Sequence, residues 1–224
     1  YGFTRRDLDA YALRDHKKAL AAIGEGRIGG EVESVTIKQR KKEIVVDADE
    51  LPEPCTLEDL MALPPDDEDG TATDATVAPW ADGAASLIML SAERAQELGA
   101  KPLAKMLGFG IAAGNPTLLE RTTSRSIDKA LSMCGLELGD LDFLDIHTPS
   151  AAYGLAVEEM LGEVVSGKIN VNGGSLAFGH PGAATGGIMT TGMIHRLTDG
   201  KTRRGLINVG ALGGQSLSIV IEGC

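Results

Sequence analysis

From Asp82 onward the chain alternates short apolar runs with amphipathic ones, and that alternation leaves few folds open. "ASLIMLS", "AKMLGFGIAA", "LDFLDIH", "RGLINVGA" and "QSLSIVIEG" have the length and apolar content of buried strands. Between them, "AERAQELGA", "TLLERTTSRSIDKALSMCG", "AAYGLAVEEML" and "ATGGIMTTGMIHRLTDG" carry apolar residues at helical spacing, with Gly99 and Gly135 as stops. Strands interleaved with helices imply a layered α/β unit. The two closing strands have no helix between them and are expected to form an antiparallel edge.

The region before Asp82 reads differently. Thr4 to Ile23 is a helix with Leu8, Tyr11, Ala12 and Ala19 on its apolar face, Thr4 as N-cap and Gly24 as stop. "EVESVTI" and "KEIVVDA" are strand-like. The acidic, proline-rich "LPEPCTLEDLMALPPDDEDG" reads as a surface excursion with a short helix from Thr56 to Leu63. The expected division is therefore 1–81, a leading helix and loop region, and 82–224, the layered core.

Composition excludes several functions. With 21 basic and 32 acidic residues the net charge is −11, against the basic surface that nucleic acids and anionic membranes require. No apolar run reaches the roughly 18 to 20 residues of a bilayer span, and the first twenty residues lack a secretory core. Cys55, Cys134 and Cys224 are odd in number and widely spaced, so neither a disulfide framework nor a metal site is readable. The chain is expected to be soluble and cytoplasmic. It opens without methionine, directly on a helix, as a processed or split product would.

"VNGGSLAFGHPGAATGG", Val171 to Gly187, places a single histidine among six glycines at the entrance to a helix. Glycine allows tight turns and close approach of a ligand to the backbone. The longer string "INVNGGSLAFGHPGAATGG" resembles the segment "NVNGGxxAxGHPxGAxG" of the thiolase superfamily. "YGFTRRDLDAYALRDHKKALAAIGEGRIGGEV" resembles the helix at the start of the second half of a thiolase. "GTATDATVAPWADGAASLIMLSAERAQELGAKPLAKMLGF" resembles the end of the loop domain and the elements after it. The likeness covers almost the whole chain but only the second half of a thiolase. It implies one βαβαβαββ half plus part of the loop domain, completing a five-layer αβαβα body with a partner half that carries the acylated cysteine.

By that resemblance His180, in "GHP", activates the cysteine and then directs a ring N–H at the thioester oxygen. A thiol with an ordinary pKa of about 8.5 needs such a neighbour near neutrality. An isolated Gly-His-Pro would read as a capping or core histidine; the ordered string carries the assignment. His147, after the strand "LDFLDI", stands where most thiolases have Asn-Glu-Ala-Phe and the sterol-carrier type has His-Asp-Cys-Phe. A second histidine there is also similar to the Cys-His-His site of ketosynthases, and a local strand-end hydrogen bond is the plainer reading. Leu212 stands where a main-chain N–H donates to the acyl-enzyme oxyanion. Asn172, Gly213 and Trp80 are the expected substrate contacts, with simple packing an equal reading for Trp80.

Two departures matter. The cysteine that removes the α-proton in thiolases is Gly210 here, and the alternative cysteine of the sterol-carrier type is Pro149. The serine near the pantetheine of CoA is Ala78. The resemblance implies an acyl-CoA C-acyltransferase subunit working with a cysteine from elsewhere, with acyl-CoA as substrate, no cofactor, an oligomeric assembly and, as in some relatives, a small OB-fold zinc protein as partner. The other readings are a non-catalytic acyl-CoA-binding or scaffolding subunit and an incomplete piece of an ordinary single chain.

Overall fold

Thr4 opens helix α1 (Arg5–Gly24) with a reciprocal capping box: its side chain accepts the Asp7 N–H, while the Asp7 carboxylate accepts the Thr4 N–H at 2.8 Å. The computed structural model describes residues 1–40, 42–198 and 200–224. After α1 come a solvent-exposed antiparallel hairpin, β1 (Val35–Gln39) with β2 (Lys42–Val46), and a short helix α2 (Leu57–Met61) capped by Thr56. The hydrophobic face of α1, with Leu8, Tyr11 and Ala12, packs against Leu60, Ala151 and Leu176.

The core is a four-stranded mixed sheet of β3 (Ala104–Ala113), β4 (Phe143–Ile146), β5 (Arg204–Ala211) and β6 (Gln215–Gly223) in the order β3-β6-β5-β4. β6 runs antiparallel to both β3 and β5, and β4 runs parallel to β5. The closing pair β5 and β6 therefore lies in the middle of the sheet, not at its edge as expected from sequence. Alternation explains why: Leu206 and Val220 face one apolar cluster, while Ile207 and Ile221 face another. Strands with both faces covered belong inside a sheet.

Helices α4 (Leu119–Cys134) and α5 (Ala151–Leu161) cover the first face through Ile127, Ala130, Leu131 and Val157; α7 (Thr185–Leu197) covers the second through Met193 and Leu197. Each such fully buried aliphatic side chain contributes about 1.5–3 kcal/mol relative to exposure. Close approach of α4 to β3 depends on Gly110, where a Cβ would overlap the carbonyl oxygen of Ser126. α4 ends as read, on a left-handed Gly135.

One strand expectation fails. Residues 85–91 form no strand and pair with none among the described residues, and Ile88 is 89% exposed. A strand-like sequence becomes a strand only beside a neighbour, and the sheet edges here are β3 and β4. Helix α3 (Ala92–Glu97) follows, capped by Ser91.

Candidate functional site

The strand β4 delivers His147 one residue past its end. There the His147 N–H donates to the Asn208 carbonyl at 2.9 Å, extending the pairing with β5. The other side of β4 is held by Asn170, whose Oδ1 accepts the Ile146 N–H at 2.8 Å and whose Nδ2 donates to the Ile146 carbonyl at 3.0 Å. This side chain continues along β4 the main-chain pairing that residues 168–170 make with Leu144, and its residue adopts a positive φ of 46°.

From Asn170 the glycine-rich segment turns against α1 and forms a single helical turn, α6 (Ser175–Phe178). Asp15 of α1 is buried beneath it and accepts the Ala177 N–H at 3.3 Å, with further main-chain hydrogen bonds from Gly174 and Leu176. Burial pushes the Asp15 carboxyl up to about 6 against the opposing effect of these donors and Lys18. His180 follows α6 directly.

A strap of chain joins the two histidine loops. The Ala151 N–H donates to the Thr76 carbonyl at 2.8 Å and the Ala78 N–H to the Pro149 carbonyl at 3.0 Å; the His180 N–H donates to the Pro79 carbonyl at 2.7 Å. The strap is tied at its start by Thr76, which is buried and accepts the Thr73 N–H on its hydroxyl at 2.8 Å. Residues 76–81 thus tie the loop after His147 to the loop carrying His180.

The result is a row of three rings. His147 and His180 stack with centroids 4.5 Å apart and planes at 27°, and Trp80 lies 5.3 Å beyond His180 at 33°. His147 is 3% exposed and Trp80 is 81% exposed, so the row runs from the interior to the surface. Burial, reinforced by the neighbouring His180, lowers the His147 pKa to about 4, so this ring is neutral near pH 7. The His147 Nδ1 lies 2.7 Å from Ser175 Oγ, and the His180 Nδ1 lies 3.1 Å from Thr185 Oγ1. Among the described residues neither Nε2 has a hydrogen-bond partner.

Among the described residues, Asn172, Leu212 and Gly213 make no hydrogen bond or ring contact with this row. Asn172 gives its Oδ1 to the Arg27 guanidinium at the end of α1. Leu212 and Gly213 form the turn between β5 and β6, with the Leu212 side chain 96% exposed. Gly210 is buried at the end of β5, where an added Cβ would stand 3.0 Å from the Tyr153 hydroxyl and 3.3 Å from Leu119. None of the three cysteines bonds to either imidazole: Cys134 donates to the Ala130 carbonyl, Cys55 packs beside the Leu8 cluster, and Cys224 is exposed. Among the described residues no cluster of three or more His, Cys, Asp or Glu is placed to hold a metal, and no helix is long and apolar enough to cross a membrane.

Sequence reading overlooked Ser175, Thr185 and Asn208. The first two lie inside the quoted glycine-rich string, but a small hydroxyl there carries no periodic signal. Asn208 did leave a trace, as a polar residue in the apolar run "LINVG". Its Nδ2 faces the hydroxyls of Ser126, Ser216 and Ser218 at 2.8–3.0 Å, all within a sealed polar cluster between α4 and the sheet.

A shallow groove of about 390 Å³ on the outer side of α1 includes neither histidine. Three of the cations lining it are already engaged: Arg14 with Glu158, Lys18 with the Ile169 carbonyl, and Arg27 with Glu25 and Asn172.

Comparison with known proteins gives a consistent family. Residues 100–223 match the model "Thiolase, C-terminal domain" and residues 1–93 match "Thiolase, N-terminal domain". The expectation that only the second half of the family is represented is corrected by the latter match: the leading region carries a stretch of the N-terminal domain as well. The chain is 36% identical to an acetyl-CoA acetyltransferase of Escherichia coli over 224 residues, which is 99% of this chain and 57% of that protein. Its fold superposes on the crystal structure of the Bacillus anthracis acetyl-CoA acetyltransferase with a TM-score of 0.95 and 35% identity, covering 100% of this chain and 57% of that one. Against human mitochondrial 3-ketoacyl-CoA thiolase the TM-score is 0.88 at 28% identity, covering 99% and 56%. The chain spans little more than half the length of these relatives.

Proposed function

The chain belongs to the thiolase family, and from that premise we propose that it acts as an acyl-CoA C-acyltransferase subunit whose imidazole pair serves a cysteine supplied from outside these residues. The observation that carries this reading is the stack of His147 on His180 beside an exposed Trp80. Two ring nitrogens without a hydrogen-bond partner among the described residues offer one base and one donor to a reacting thioester.

In the acylation step His180 takes the proton of the incoming thiol. The resulting thiolate forms a bond to the carbonyl carbon of acyl-CoA, and the developing oxyanion is held by His147 and by the Leu212 main-chain N–H. The bond from that carbon to the CoA sulfur then breaks, and the proton on His180 passes to the leaving CoA thiolate. Groups aimed at a developing oxyanion are worth about 3–4 kcal/mol each in comparable sites. Asn172, Gly213 and Trp80 contact the acyl-CoA, and no cofactor takes part.

The same reading assigns residues 1–81 to the leading helix and loop region and 82–224 to the layered core. It places the assembly in the cytoplasm as an oligomer, with a chain carrying the cysteine as partner and a small OB-fold zinc protein as a further one. Because residue 210 is glycine, the reaction either takes its α-proton base from the partner or the substrate, or is one that needs none, such as decarboxylative condensation, retro-aldol cleavage or simple acyl transfer.

A second reading, a non-catalytic acyl-CoA-binding subunit, is favoured by one observation: Gly210 is packed so closely that a Cβ would stand 3.0 Å from the Tyr153 hydroxyl, so a side chain there requires Tyr153 to shift. Intact mass after mixing the chain with a cysteine-bearing thiolase half and acetyl-CoA separates the two. An acetyl increment on that cysteine, lost in His180→Ala, supports catalysis. No increment supports the binding role.

A further inference from the structure

We propose that Thr185 and Ser175 are positioning residues that hold the stacked imidazoles in opposite tautomers, so that His180 presents a bare Nε2 while His147 presents Nε2–H.

The argument counts hydroxyl protons. Thr185 has one, and it is donated to the Gly182 carbonyl at 2.7 Å. Towards the His180 Nδ1, 3.1 Å away, the same oxygen can only accept, so Nδ1 carries the ring proton. A neutral imidazole has a single ring proton, which leaves the His180 Nε2 as a lone pair.

Ser175 is wired the other way. Its Oγ accepts the Thr148 N–H at 3.4 Å, and its own proton meets no acceptor among the described residues except the His147 Nδ1 at 2.7 Å. Ser175 therefore donates to Nδ1. Burial and the adjacent His180 keep His147 uncharged near neutrality, so its one proton resides on Nε2.

The chemical consequence rests on the acyl-transfer reading above: a bare Nε2 accepts a thiol proton, and an Nε2–H donates to a thioester oxygen. Two identical side chains become base and donor through the hydroxyl behind each. The short loop between Gly182 and Thr185 is the source of the difference, because it returns a carbonyl to the threonine that the serine lacks.

The test needs neither thiol nor thioester. In the full chain labelled with ¹⁵N-histidine near neutral pH, long-range ¹H–¹⁵N correlations should show His180 protonated on Nδ1 and His147 protonated on Nε2, each assigned by its own His→Gln variant. Thr185→Val should shift the His180 proton towards Nε2, Thr185→Ser should restore it, and Ser175→Ala should shift the His147 proton towards Nδ1. Identical tautomers in the unsubstituted chain overturn the proposal, whether or not any variant folds, as does an unchanged pattern in a folded Thr185→Val. Opposite tautomers without an acetyl adduct would leave this inference standing and defeat only the acyl-transfer reading; an adduct with identical tautomers would do the reverse.

Discussion

The Asn208 main-chain carbonyl accepts the N–H of His147 at 2.9 Å, and its side-chain Nδ2 faces the sealed hydroxyls of Ser126, Ser216 and Ser218. One residue therefore joins the placement of an imidazole to the polar interior beneath it. Replacing it tests that interior. Asn208→Leu keeps the volume and the main-chain contact but leaves three buried serines to pair with one another. We expect a loss of about 1 kcal/mol in urea unfolding, because the hydroxyls lose the carboxamide but keep one another as partners.

The two ring roles are separable from a third histidine. His195 lies in the last turn of α7 and has no part in the ring row. With a cysteine-bearing half present, His180→Ala should slow acylation by about a hundredfold or more, the usual contribution of a positioned proton acceptor. His195→Ala should change it little. Single-turnover acylation rates measure both, and equal effects would remove His180 from the reaction.

Stability between about pH 4 and 6.5 contains two opposing contributions. His147 titrates near 4 in the folded chain and near 6.5 unfolded, so its contribution is full above 6.5 and is lost as pH falls towards 4. Asp15 titrates near 6 folded and 3.8 unfolded, so its contribution is full below 3.8 and is lost as pH rises through 6. The two largely offset each other in the shared window. His147→Gln should expose a decline of stability with rising pH, and Asp15→Asn a rise, each on the order of 2–3 kcal/mol. Urea midpoints across that range distinguish them; parallel curves for both variants would contradict the assignment.

Restoring a cysteine at position 210 should be costly. A Cβ there meets the Tyr153 hydroxyl at 3.0 Å and Leu119 at 3.3 Å, and that hydroxyl is itself 2.6 Å from Thr123 Oγ1. Gly210→Cys is expected to destabilise by about 1–3 kcal/mol through overpacking. Adding Tyr153→Phe should recover part of the loss, a coupling that a double-mutant cycle reads directly. Purely additive losses would show that the crowding lies elsewhere.

What could be read from the sequence follows the range of the interactions involved. The cap of α1 at Thr4, the stop of α4 at Gly135 and the strand spans of β5 and β6 depend on neighbouring residues, and all were legible. Position in the sheet was not. "ASLIMLS" has strand composition, but pairing is a property of two segments, and β5 and β6 became central only because β4 and β3 flank them. The site divides the same way. The glycine-rich string singled out His180, and the end of β4 singled out His147, yet their stacking depends on residues 76–81 crossing between two distant loops. Ser175 and Thr185 were invisible because a hydroxyl's role is fixed by where its one proton goes, which only coordinates reveal.

The strap also bears on the order of assembly. Residues 76–78 with 149–151 and residues 79–81 with His180 are bridges between remote parts of the chain, each closing a long loop for two main-chain hydrogen bonds, whereas β5 and β6 close theirs through one tight turn. Closure entropy favours the hairpin and its covering helices first and the bridges afterwards. The imidazole row is thus the late-forming part of this protein, and local opening would release it while the sheet beneath stays folded.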